Sequence, residues 1–163
     1  MNELLTILFG ATPIGEVRAA IPVAIFAFGF APLKAYFLAV FGNLLPIVPG
    51  LFFLHYISTY LMEKNYWANR FLSWVFKYTR DRYRQKFIEA EQQHHHHHWR
   101  EFWRFMALMA FVAIPFPITG VWSGMVAAFV FGFSFWRSVA ALSIGAAISG
   151  LIVLAISLGI VRL

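Results

Sequence analysis

The chain has no cysteine and little charge. Among its 163 residues there is no Cys, and Asp, Glu, Lys and Arg together make up 12%. The missing thiols exclude disulfides, thiol catalysis and iron–sulfur ligation, and they leave the compartment open. The scarcity of charge excludes an ordinary soluble domain, in which about a quarter of residues are charged. Catalytic signatures are missing too: there is no Gly-x-Ser-x-Gly elbow, no Walker loop, no dinucleotide glycine motif and no His-Glu-x-x-His. The chain is therefore read as a non-enzyme that needs no cofactor, and ATP-driven work would need a partner chain. The start, MNELLTILFG, has no basic flank and carries Glu3, so no removable signal peptide is expected.

Apolar sequence takes the place of charge. Hydrophobic residues make 61% of the chain, in stretches long enough to cross a bilayer. The fold class expected is an all-α integral membrane protein of one domain, multi-pass, in the cytoplasmic membrane of a bacterium or archaeon. The net charge of +6 would suit nucleic acid if it were spread over one surface. It is not: nine of the thirteen Lys and Arg fall within residues 64–104, between two lipid-soluble parts. That placement points to a basic segment at the cytoplasmic face and to membrane lipids, with no nucleic acid. The segment NRFLSWVFKYTRDRYRQKF alternates aromatic with basic residues, as a helix in the headgroup layer does.

Charge divides the chain into residues 1–62, 63–104 and 105–163. The two apolar parts resemble each other. PIGEVRAA at 13–20 aligns with PITGVWSG at 117–124, an offset of 104. GFAPLKA at 29–35 aligns with GFSFWRS at 132–138, an offset of 103, which pairs Lys34 with Arg137, and Gly42 falls on Gly145 at the same offset. We read a duplication. In each copy an apolar arm meets a Pro-Gly break, followed by a second arm and then a long apolar helix. The second arms, near residues 17–30 and 121–133, would measure roughly 20 Å, against a hydrocarbon core of roughly 30 Å. The long helices, 33–62 and 138–161, reach at least roughly 36 Å. Each repeat therefore reads as a re-entrant helical hairpin followed by one transmembrane helix. A basic amphipathic helical connector joins the two, and an odd number of crossings inverts the second copy. The competing reading is one kinked helix for each broken pair, giving four ordinary spans.

A helix that begins inside the bilayer exposes backbone N–H groups and the positive end of its dipole, which suits an anion. Gly15 and Thr119 hold corresponding positions suited to an N-cap. Arg18 adds a planar cation that fits phosphate or carboxylate. Substrate-binding candidates are thus Arg18, Gly15, Thr119, Gly120, Trp122 and Ser123, the last two because they match Arg18 and Ala19. Glu16 is the candidate for proton coupling, or else half of a structural ion pair. Residues two apart do not face each other on a helix, so a direct Glu16–Arg18 pair would need the bend, or the two have separate partners. Pro13, Pro22, Pro115 and Pro117 are expected to shape the hairpins. Asn43, Pro46 and Pro49 interrupt the first long helix. The run His94–His98 lacks flanking Cys or an intervening Glu and is given no metal. Small residues in SIGAAISG at 143–150 suit helix contacts between copies, so a homo-oligomer is expected.

Two ordered motifs carry a family resemblance. Pro13, Glu16, Arg18, Pro22, Gly42, Asn43 and Pro46 match the first signature of the family called putative small multidrug export proteins. Pro115, Pro117, Thr119, Gly120, Trp122 and Gly124 match its second. The resemblance covers both apolar parts and implies drug efflux. The hairpin-plus-helix plan is also similar, more distantly, to the DedA superfamily, whose bacterial members are implicated in moving undecaprenyl phosphate across the membrane. The residues themselves favour transport of an anionic lipid phosphate. Efflux of small cationic or amphipathic drugs, with Glu16 and Trp122 as the lining, is the alternative, and a non-transporting membrane scaffold is the third.

Overall fold

The computed structural model describes residues 1–64, 97–115 and 120–161. Most of the basic connector, Pro117, Thr119 and His94–His96 therefore lie outside the described residues, which are helical with no strand among them. The helices are α1 Asn2–Ala11, α2 Glu16–Phe26, α3 Pro32–Leu44, α4 Ile47–Lys64, α5 His97–Ala113, α6 Val121–Val130 and α7 Phe135–Val161.

Proline and glycine set the boundaries. Pro13 excludes the helical region for the residue before it, and Thr12 is extended at φ −77°, ψ 151°, which ends α1. Gly29 and Gly132 follow α2 and α6 at φ +66° and +64°, the left-handed conformation that lets a helix stop and turn. Pro32 then opens α3 at its first turn. Pro22 departs from expectation. It lies inside an unbroken α2 rather than at a break, and its missing N–H only frees the Arg18 carbonyl.

Two stretches, Pro32–Tyr56 and Phe135–Gly159, are long and apolar enough to cross a membrane. The first is bent at Leu45–Pro46, where α3 passes into α4. The second begins one turn earlier than its sequence pattern indicates, at Phe135.

Burial follows the duplication register. Val17, Ile21 and Ala24 on α2 are almost fully buried, and so are Val121, Met125 and Ala128, their partners at offset 104 on α6. Two apolar clusters result. One joins Val17, Ala20 and Ile21 to Ala39 and Val40 of α3 and to Val153 and Leu154 of α7. The other joins Val121, Met125 and Ala128 to Ile47 and Leu51 of α4 and to Ala141, Leu142 and Ala146 of α7. The clusters come in opposite order along the two rods, so α3–α4 and α7 cross antiparallel.

The small residues of 143–150 are used within one chain. Gly145 lies against the Met109 carbonyl and Val112, and Gly150 lies against Tyr36 and Val40. The packing expected between copies is thus taken up inside the protomer. Gly42, the counterpart of Gly145, lies against the Ile7 backbone. In both halves the first arm therefore meets its long helix backbone to backbone.

Candidate functional site at the two helix breaks

The first break is the turn Thr12–Gly15. The Thr12 hydroxyl donates to the Phe9 carbonyl at 2.8 Å and accepts the Gly15 N–H at 3.0 Å. The Glu16 N–H goes to the Thr12 carbonyl at 3.2 Å. Thr12 thus serves the start of α2, a role sequence reasoning missed although Ser or Thr before a helix is the ordinary capping signal. Gly15 holds the N-cap position as expected, but its function is space: a Cβ there would overlap the Phe9 carbonyl. Glu16 itself has φ +39°, a left-handed conformation disfavoured for a residue with a side chain.

That unusual backbone turns the Glu16 side chain across to the other half of the molecule. The carboxylate is 8% exposed and meets the start of α6, where the N–H of Trp122 lies 3.5 Å from Oε1 and that of Val121 is also a donor. A carboxylate on the first amides of a helix compensates the positive dipole end, worth about 0.3–2 kcal/mol. The room for it comes from Gly120. At the position matching Glu16, a Cβ on Gly120 would overlap the carboxylate. The N-cap of α6 is this Gly120 rather than Thr119. Ser123 accepts the Gly120 N–H at 2.8 Å and donates to its carbonyl at 3.2 Å, so its hydroxyl is spent on capping rather than turned toward a guest.

Arg18 serves the other side of the second break. Its Nη2 donates to the Ile114 carbonyl at 3.2 Å, just past the end of α5. The indole N–H of Trp122, the residue matching Arg18, donates to the Ala11 carbonyl at the end of α1 at 3.3 Å. Each half thus sends a donor from the start of its second arm to the carbonyl end of the other half's first arm. Arg18 and Glu16 take separate partners, at opposite ends of the second break, and still feel each other's charge. The two helix starts therefore do not converge as a pair of vacant anion sites, because Thr12 serves the first and Glu16 fills the second.

Farther out, the halves agree again. Lys34 pairs with Glu3 and stacks over the Phe30 ring at 4.8 Å. Arg137 pairs with Glu101, while Arg104 stacks over Phe133, the counterpart of Phe30, at 4.9 Å. Among the described residues no group of three His, Cys, Asp or Glu comes together to hold a metal.

With this geometry in place, the sequence can be set against known families. The model of one family, described as Putative small multi-drug export protein, matches residues 16–152. The chain belongs to that family. The matched stretch opens at Glu16 and takes in Arg18, Gly120 and Trp122, so the cross-half contacts of this small multidrug export protein fall within it. No curated protein and no solved structure matches the chain. Family and helices together are consistent with a membrane protein.

Proposed function

We propose that this protein exports small amphipathic compounds across the cell membrane through the contact between its two helix breaks, exchanging a proton at Glu16. In this reading each half is a re-entrant hairpin followed by one spanning helix, with the second half inverted. The lengths of α1, α2 and α6 support dipping arms, since helices of about ten residues reach roughly 15 Å, half the hydrocarbon core. The antiparallel crossing of the long helices supports inversion.

The observation that carries the reading is the buried Glu16 carboxylate on the amides of a helix from the other half. Ionised, it compensates the α6 dipole and holds the two halves together. Protonated, it keeps a weaker hydrogen bond and loses that electrostatic hold. Proton and cationic cargo would compete for one carboxylate, which is how a single group couples two flows. Ionisable residues within membrane segments are functional candidates for the same reason.

Efflux of ethidium from liposomes holding the purified protein, driven by a pH gradient, tests this. Glu16→Gln should abolish the gradient-driven flux and Glu16→Asp should retain part of it. Wild-type flux in the Gln variant overturns the reading.

Export of an anionic lipid phosphate is the second reading. Arg18 and the α6 amides support it, because together they would hold a phosphate once Glu16 is protonated and withdrawn. The two differ in sign at one residue: Glu16→Gln should strengthen binding of a phosphorylated lipid in the second reading, while stopping ethidium in the first.

A further inference from the structure

Two buried oxygens lack hydrogen-bond partners, Asn43 Oδ1 on α3 and Ser149 Oγ on α7, and each residue is only 1% exposed. Ser149 differs in this from the other buried helical hydroxyls. Thr6, Ser138 and Ser157 each donate to the carbonyl four residues back, at 2.9, 3.0 and 2.8 Å. Orphaned polar atoms are costly in an apolar interior and call for an explanation.

Their places along the two rods match. Val40, Asn43 and Ile47 follow one another at steps of three and four residues. Val40 belongs to one apolar cluster and Ile47 to the other. Ala146, Ser149 and Val153 have the same spacing on α7, with the cluster order reversed. Because the rods run antiparallel, setting Val40 beside Val153 and Ile47 beside Ala146 brings Asn43 level with Ser149 and Gly150. The helices touch at this level, where Gly150 lies against Val40 and Tyr36, and the Tyr36 hydroxyl donates to the Ala147 carbonyl at 3.2 Å. Two prolines add acceptors. Pro46 and Pro49 have no N–H, so the carbonyls of Gly42 and Leu45 lose the donors that an unbroken helix would supply.

We propose that Asn43 and Ser149 hold a water molecule between them where the two long helices cross. The site is rich in acceptors and needs a guest with hydrogens to give. One water can donate to Asn43 Oδ1 and to a freed carbonyl while bonding the Ser149 hydroxyl, close to the roughly three bonds a buried water usually makes. A metal cation would ask for about six oxygen ligands, more than these groups supply. The water marks the seam between the two clusters, where contact between the halves is wet rather than interlocked.

A double-mutant cycle on the full chain in detergent tests the proposal through its thermal midpoint. Asn43→Leu keeps the side-chain size, and Ser149→Ala removes only the hydroxyl. Each should lower the midpoint, and the double variant should lose little more than the worse single one, since either change already evicts the shared water. A midpoint that rises in either single variant means dry, unpartnered groups and overturns the proposal. So do additive losses. A wild-type midpoint raised by sodium chloride over choline chloride, with the difference gone in Asn43→Leu, would make the guest a cation and equally overturn it. A high-resolution density map of the wild type gives an independent decision if a variant does not fold: density within hydrogen-bond distance of both oxygens supports the water, and its absence refutes it.

Discussion

The two helix breaks occupy the same place in the two halves and carry opposite chemistry. The first supplies Glu16 and Arg18. The second supplies Gly120 and Trp122 at the matching positions. One break is therefore the donor of charge and the other its receptor, since Glu16 lies where only a glycine leaves space and Arg18 reaches the carbonyl end of α5. The indole of Trp122 returns the Arg18 contact without a charge. The comparison teaches that the pair cannot be read within its own half. Residues two apart on one helix start find partners at the two ends of a break about a hundred positions away along the chain.

The sharpest way to break the comparison is to fill the receptor. Gly120→Ala places a methyl where the carboxylate lies, and a loss of roughly 3 kcal/mol is expected in a denaturation midpoint. Glu16→Gly should recover much of that loss in the double variant, because both changes act on one volume. Purely additive effects would mean the overlap at Gly120 is not what its neighbour imposes.

Replacing Arg18 with Gln is next. It removes a charged donor from the Ile114 carbonyl, and a loss of about 1.5–3 kcal/mol is expected. Trp122→Phe keeps the ring and deletes only the N–H to Ala11, so about 1 kcal/mol is expected. The ranking itself is the test: equal losses would show that charge adds nothing to the Arg18 side of the exchange.

The smallest effect belongs to the outer pairs, where the halves agree. Lys34 holds the Glu3 carboxyl below the ordinary carboxylate range through its hydrogen bond and charge. This tether is present at neutral pH and is lost as pH falls through that lowered value. Exposed pairs contribute little, so Glu3→Gln should leave the melting profile at neutral pH almost unchanged. A large shift there would move the weight of the structure away from the breaks.

Much of the fold was legible in the sequence because it depends on local chemistry. Pro13, the Gly29 and Gly132 turns, and the apolar rows Val17–Ile21–Ala24 and Val121–Met125–Ala128 act through near neighbours and repeat at a fixed offset. Pro22 misled because a proline within a short helix of a membrane protein costs one hydrogen bond without ending the helix. The site was legible only in its membership. Glu16, Arg18, Gly120 and Trp122 could be named, but the acceptors of Arg18 and Trp122 are backbone carbonyls, which carry no residue signature. The vacant anion site failed for a related reason. Whether a helix start is open depends on what a distant segment brings to it, and here that was Glu16.

The glycine contacts that seat each first arm on its long helix have a mechanical consequence. With Gly42 against the backbone at Ile7, and Gly145 against that at Met109, no layer of side chains remains there to shear or repack. α1 with α3, and α5 with α7, behave as welded frames. Only α2 and α6 are left to swing, each like a door leaf whose jamb belongs to the opposite frame.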